Sequence, residues 1–121
     1  MRFEHAFADL GGVARERLND LQALGTLLLS AANAAGMSPA GPPLLTTGPQ
    51  SVAAVVLCHG GHAALHAVPD AGICFVDVAG VGSVAAQRGL DVVIKRLGAR
   101  DVRTDARRRG PATLPLDADA P

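Results

Sequence analysis

Three short strand-like segments follow one another between residues 52 and 79, and this run constrains the fold more than any other feature of the chain. Val52–Cys58 is almost entirely apolar, Gly61–Val68 alternates apolar and polar residues, and Gly72–Ala79 is rich in Val, Ile and Phe. Two glycine-containing segments, His59–Gly61 and Pro69–Gly72, separate them. Because such short connections are typical of hairpins, the run predicts neighbouring antiparallel strands.

A further strand and a helix are predicted before this run. Residues alternate in character from Arg2 to Leu10, which is a strand pattern, and the segment ends at two glycines. From Arg15 to Ala35, leucines recur at helical spacing, and Gly36 is a typical residue to follow a helix. Gly41–Pro43 then predicts a loop or the start of an edge strand.

A second helix and a last short strand are predicted after the run. Val84–Leu97 has a helical pattern, with Ser83 as its N-cap and Gly98 at its end. Val102–Ala106 is predicted as a short edge strand. The order β-α-β-β-β-α-β predicts an α+β fold, a two-layer sandwich in which an antiparallel sheet carries both helices on one face. The other face of the sheet needs cover, which predicts a dimer with sheet face against sheet face.

The composition changes at Arg107, where three arginines precede a stretch of Pro, Asp and Ala. Such a stretch buries little apolar surface. We therefore expect one domain over residues 1–106 and a disordered tail over residues 107–121. The Arg107–Arg109 run is interpreted as solvated charge at the end of a domain.

The charge balance and the hydropathy pattern exclude several classes of partner. Lys and Arg total 11, as do Asp and Glu, so the formal net charge is zero. The chain thus lacks the basic excess that is typical of nucleic-acid binding. No apolar stretch reaches the roughly 18 residues of a membrane-spanning helix, and the charged start of the chain does not resemble a signal peptide. We expect a cytoplasmic protein with neither a nucleic-acid nor a membrane partner.

Histidines cluster around the strand predicted at Gly61–Val68. Imidazole is a common metal ligand. On a strand, however, His62 and His66 share a face but lie about 13 Å apart at ~3.3 Å per residue, so they are not expected to share a metal ion. Cys58 and Cys74 are too few for a disulfide scaffold or a cysteine zinc site, and both are predicted to be small core residues. No metal site is predicted.

Seven stretches, in their order and spacing, resemble the bacterial S-adenosylmethionine decarboxylase family over residues 2–106. They are Phe3–Gly11, Leu18–Asp20, Gly48–Gln50, Val52–His62, His62–Asp70, Val76–Val78 and Lys95–Ala99. The resemblance implies that family's α+β sandwich fold. It also implies a pyruvoyl-dependent decarboxylation, in which the proenzyme cleaves itself at a Glu-Ser bond and the serine becomes the pyruvoyl group.

The chain departs from this family pattern at the residues that carry the chemistry. The position of the Glu-Ser pair is taken by Gly60 and Gly61, and glycine offers no nucleophile for self-cleavage. A helper serine of the family matches Ala53, and its proton-donating cysteine matches Val81. Of the catalytic group, only the histidine at His66 is in place. The chain is therefore interpreted as a divergent member that forms no pyruvoyl cofactor.

Candidate site residues follow from this comparison. His66 and His62 are the candidate catalytic residues, since imidazole transfers protons near neutral pH. His5, Asp77 and His59 are candidates for substrate binding. For His5, the alternative is a polar residue on a sheet face that packs against a second subunit. Asp77 lies on a strand that looks buried, so a partner such as an arginine is expected for its carboxylate.

Three functions remain open from the sequence. The first is a non-catalytic or regulatory subunit that keeps a pocket for S-adenosylmethionine, an amino acid or an amine, either as a homodimer or beside a paralogous decarboxylase subunit. The second is a repurposed, pyruvoyl-free enzyme of a specialised biosynthetic pathway. The third is an orthodox decarboxylase of polyamine (spermidine) biosynthesis, which the Gly60–Gly61 pair argues against.

Overall fold

A computed structural model describes residues 2–112 of the chain. In that range, six strands and three α-helices form in the following order: β1 Phe3–Gly11, α1 Arg15–Asn19, α2 Leu21–Ala34, β2 Leu44–Thr47, β3 Val52–Cys58, β4 Gly61–Val68, β5 Ile73–Val81, α3 Ala86–Leu97 and β6 Asp101–Arg109. None of the helices in residues 2–112 has the length and hydropathy of a membrane-spanning segment.

The strands form one antiparallel sheet in the order β2-β3-β4-β5-β1-β6. Helices α2 and α3 contact each other and pack on the same side of the sheet. Alternate residues of the central strands face these helices and are buried, as the period of two along a strand requires. They are Ala6, Ala8, Leu10, Val52, Ala54, Val56, Ala63, Leu65, Ala67, Cys74, Val76 and Val78. The predicted α+β two-layer sandwich is confirmed.

Small residues let the two long helices approach closely. A Cβ atom placed on Gly89 of α3 would lie 2.6 Å from the carbonyl oxygen of Ala31 in α2. Only glycine therefore fits at this crossing without a shift of the helices. The larger apolar residues lie around the crossing, with Leu28, Leu90 and Val93 fully buried.

The first predicted helix is interrupted. Asp20 adopts φ −84° and ψ 87°, which ends α1, and its carboxylate accepts a hydrogen bond from the N–H of Ala23 at 3.1 Å. Aspartate favours such a cap because its side chain satisfies an otherwise unpaired helix N–H. The cap predicted at Ser83 is wrong, because α3 begins only after Ala85 and has no side-chain cap.

The sheet is wider than predicted. Strand β2 pairs with β3. All four of its residues are exposed, so its sequence shows no alternation of buried and exposed positions. Strand β6 continues past Ala106 to Arg109, because β1 supplies a backbone partner along its whole length, from Gly11↔Asp101 to Phe3↔Arg109. The domain end predicted at residue 106 therefore falls inside a strand. Of the predicted tail, residues 113–121 lie outside the described residues.

Candidate functional site

The sheet face that points away from the helices, called here the open face, carries all the candidate side chains except that of the turn residue His59. On β1 the odd-numbered residues point to the open face, and on β4 the even-numbered residues do, because the alternate residues of each strand are buried against the helices. Four of the seven exposed large hydrophobic residues of the described chain also lie on this face: Leu44, Leu57, Phe75 and Val81. The open face thus combines exposed apolar surface with titratable groups.

An apolar groove of about 480 Å³ runs along β3 on the open face and is called here the β3 groove. Its walls are side chains of β2 and β3 on one side and of β4 on the other. The lining includes Leu44, Val55 and Leu57, together with His62 and His66. Most ligand sites have this character, with apolar walls and a few polar groups that fix the orientation of the ligand.

The two histidines of the groove do not form a pair. They are four residues apart on β4, which places them roughly 13 Å from each other at ~3.3 Å per residue. One atom of a ligand therefore cannot contact both imidazoles, although the two ends of one ligand can. The residue directly across from His66 on β3 is Ala53, which offers no hydroxyl or other hydrogen-bonding group to the site.

His5 and Asp77 form the one side-chain hydrogen bond between β1 and β5 in the described chain. Nε2 of His5 lies 2.8 Å from Oδ1 of Asp77, with the two side chains 20% and 43% exposed. The prediction that Asp77 has a partner is confirmed, but that partner is a histidine and not an arginine. The predicted burial of Asp77 is wrong, because its side chain lies on the open face and is partly exposed. His5 and His62 flank Ala79 in the same row of the sheet, so His62 is the histidine closest to this pair.

His59 does not join the other candidates. It is exposed in the tight turn between β3 and β4, and its backbone N–H donates to the carbonyl of Ser38 at 3.0 Å. Within residues 2–112, no group of three or more His, Cys, Asp or Glu side chains is placed to hold a metal ion. Cys58 and Cys74 are buried, as predicted for core residues, and burial raises the pKa of the Cys74 thiol to about 12.

The turn between β3 and β4 contains a position that excludes any side chain. Gly60 has a φ of +84° with open space around it, whereas Gly61 is enclosed. A Cβ atom on Gly61 would lie 2.3 Å from the carbonyl oxygen of Ala79 and 2.6 Å from Sδ of Met37. Since real Cβ atoms do not approach other atoms this closely, the backbone of β5 and the side chain of Met37 fix residue 61 as glycine.

Comparison with known proteins identifies the family. The sequence model of S-adenosylmethionine decarboxylase matches residues 4–110. The chain belongs to the S-adenosylmethionine decarboxylase family. A relative, the S-adenosylmethionine decarboxylase proenzyme of Symbiobacterium thermophilum, is 31% identical over 111 residues, which are 91% of this chain and 84% of that protein. The crystal structure of the adenosylmethionine decarboxylase from Aquifex aeolicus VF5 matches with a TM-score of 0.81 at 26% identity, covering 93% of each chain.

The residues of this chain do not fit the pyruvoyl group of the S-adenosylmethionine decarboxylase family. The resemblance places the cleavage pair at Gly60 and Gly61, where there is no hydroxyl, and the packing leaves no room for one at residue 61. In addition, a Cβ there would point towards Met37 on the helix side of the sheet, away from the open face and His66. The role of Met37 was not found from the sequence, because only the folded chain brings it to this turn.

Proposed function

We propose that this member of the S-adenosylmethionine decarboxylase family remains a single uncleaved chain and works as a non-catalytic or regulatory subunit that binds a small molecule on its open face. The ligand class is that of the family's own chemistry: S-adenosylmethionine, an amino acid or an amine.

One observation carries the loss of self-cleavage. Residue 61 has no nucleophile, and its surroundings are packed for a residue without a side chain. Self-cleavage of the family type requires a serine hydroxyl that attacks the preceding carbonyl carbon. The two other family positions that differ, Ala53 and Val81, likewise carry no hydroxyl or thiol. Three inert residues at three chemical positions favour a lost reaction over a single chance substitution.

The β3 groove supports the ligand site. Its apolar walls suit a flat ring or an aliphatic chain, and His62 and His66 offer hydrogen bonds at two points along it. At roughly 13 Å apart, the two imidazoles match the ends of an elongated small molecule and not a single functional group. A ligand of the S-adenosylmethionine type has this form, with a ring system at one end and an amino acid at the other.

The exposed apolar residues of the open face support an assembly through that face. Leu57 and Phe75 are 54% and 47% exposed, on strands at the centre of the sheet. Exposed apolar patches of this kind mark interaction surfaces in soluble proteins. We propose a homodimer, or a pair with a paralogous decarboxylase subunit, in which two open faces meet and each side buries about 800 Å².

A repurposed, pyruvoyl-free enzyme is the second candidate. The histidines of the β3 groove favour it, since an imidazole next to a bound ligand can act as a general acid or base. In this function His66 and His62 would move protons at the two ends of the ligand. Binding without turnover distinguishes the first candidate from the second.

Intact-mass measurement of the purified protein tests the loss of self-cleavage. We expect one chain of 12.3 kDa, no fragments split near residue 60 and no reaction with a carbonyl reagent such as phenylhydrazine. Two fragments, one of them carrying a pyruvoyl terminus, would identify an orthodox decarboxylase and overturn the proposal. Calorimetric titration with S-adenosylmethionine, its decarboxylated form and basic amino acids then tests the ligand site, with carbon dioxide release as the readout for decarboxylation.

A further inference from the structure

A second groove lies at the opposite end of the open face, between β1 and β6, and has a different chemistry from the β3 groove. It measures about 910 Å³ and is open to solvent in the single chain. Four arginines line it, namely Arg2 and the run Arg107–Arg109, together with the rings of Phe3, His5 and Phe7. We propose that this arginine groove, at the outer edge of the sheet, binds the phosphoryl groups of a small anionic ligand, and this proposal does not depend on the ligand proposed for the β3 groove.

Two of the arginines point into the groove from one face of one strand. Arg107 and Arg109 are two residues apart on β6, so their side chains leave the same side of the sheet about 7 Å from each other. Their register partners on β1 are His5 and Phe3. A ligand lying across this corner therefore meets two guanidinium groups, with an imidazole beside one and a phenyl ring beside the other.

The ring of Phe3 holds one guanidinium in place. Cζ of Arg109 lies 5.6 Å from the centroid of that ring. A guanidinium that contacts the face of a ring loses less freedom when it binds a ligand, and its N–H groups remain available to an anion. Within residues 2–112, no carboxylate lies within ion-pair distance of Arg109.

The charge of the groove is positive on balance. No Asp or Glu of the described chain lines it. Arg108 is neutralised by Glu4 at 2.9 Å. Arg107 contacts Asp105 at 3.3 Å, with the two side chains 68% and 47% exposed. Such an exposed pair contributes little and exchanges readily with a stronger anion. The arginine run, interpreted from the sequence as solvated charge, is thus one wall of a concave site.

Phosphoryl groups fit this arrangement better than a carboxylate does. One guanidinium satisfies one carboxylate through a two-point contact, whereas two guanidinium groups about 7 Å apart need a ligand of higher charge or greater length, such as a diphosphate. The neutral net charge of the chain argues for a small ligand and against a nucleic acid, which needs an extended basic surface.

Calorimetric titration with pyrophosphate at low salt tests the proposal, with tricarballylate, a tricarboxylate, as the competing anion. We expect saturable binding of pyrophosphate, and weaker binding of tricarballylate. Arg109→Ala and Arg107→Ala should each weaken pyrophosphate binding about tenfold, as expected for the loss of a charge-assisted contact. Asp105→Asn should tighten it, because the variant removes the carboxylate that competes for Arg107.

Arg103→Ala is the matched control. Arg103 lies on the same strand and the same face and carries the same charge, but it does not line the groove. Its variant should bind pyrophosphate within about twofold of the original protein. Equal losses for Arg103→Ala and Arg109→Ala, no binding of pyrophosphate, or tighter binding of the tricarboxylate would each overturn the proposal. Circular dichroism confirms that every variant is folded.

Discussion

Replacing Gly61 by alanine should destabilise the fold far more than the same change at its neighbour Gly60. The added Cβ would lie 2.3 Å from the carbonyl oxygen of Ala79, 2.6 Å from Sδ of Met37 and 2.8 Å from Cα of Gly80. Two of these three atoms belong to the backbone of β5, so rotation of a side chain does not relieve the overlap. Strand β5 has to move away from β4 by about 1 Å to restore van der Waals distances.

The expected cost follows from overpacking in a rigid interior, which is typically 1–3 kcal/mol. Because backbone atoms are involved, we expect about 3 kcal/mol for Gly61→Ala, a decrease in melting temperature of roughly 10–20 °C for a domain of this size. Gly60→Ala meets no atom within 4 Å and adds only the strain of a φ of +84°, which costs about 1 kcal/mol.

Thermal and urea denaturation followed by far-UV circular dichroism measures both variants, since the chain has no Trp or Tyr for fluorescence. The double variant Met37→Ala/Gly61→Ala should cost less than the sum of the two single variants, because the new methyl group occupies space that the sulfur leaves. If Gly61→Ala were no less stable than Gly60→Ala, the packing argument against a serine at this position would fail. The variant Gly60→Glu/Gly61→Ser restores the residue types of the family's cleavage pair. It should nevertheless remain uncleaved in intact-mass measurement, because the packing around residue 61 leaves no room for the hydroxyl.

Three further predictions concern the open face and the core. His66→Ala should weaken binding of the ligand in the β3 groove by about ten- to a hundred-fold through the loss of a hydrogen bond, with little change in melting temperature. A lower melting temperature with unchanged affinity would mean that His66 is structural. His59→Ala, in the exposed turn, is the control. Phe75→Glu should convert a dimer into a monomer in light scattering, whereas Leu21→Glu, on the helix side, should not; a monomeric original protein would contradict the assembly. Burial raises the pKa of Cys74 to about 12, so the folded state favours the neutral thiol. The contribution of this thiol to the free energy of unfolding is fully present below pH ~9 and is lost as the pH rises towards 12. When unfolding free energies are compared across that range, the loss should be smaller in Cys74→Ala.

The central strands were predictable from the sequence because their pattern is produced by burial on one face. Val52–Cys58 and Gly61–Val68 have the predicted bounds, since an apolar run in the first and alternation in the second end at the short turns beside them. The outer strands were harder to predict. Leu44–Thr47 and Arg107–Arg109 belong to the sheet mainly through backbone pairing, and their exposed side chains leave no apolar pattern in the sequence.

The candidate site was predictable only as a set of residue types. The sequence gives histidines on one strand face, and their common groove with β3 follows from the fold. The partner of Asp77 and the packing around Gly61 were not predictable, because each depends on a residue distant in the chain, His5 in one case and Met37 in the other. Contacts of this kind are set by strand order and helix placement.

The exposure of β6 has a consequence for its motion. All nine of its side chains are exposed, so its attachment to β1 depends mainly on backbone hydrogen bonds, and such segments open locally at a lower free energy than a buried strand. Amide hydrogens shared by β1 and β6 should therefore exchange with deuterium sooner than those shared by β1 and β5. Because opening carries Arg107 and Arg109 away from His5 and Phe3, an anion held in the arginine groove would slow this exchange, and its affinity includes the free energy of closing β6.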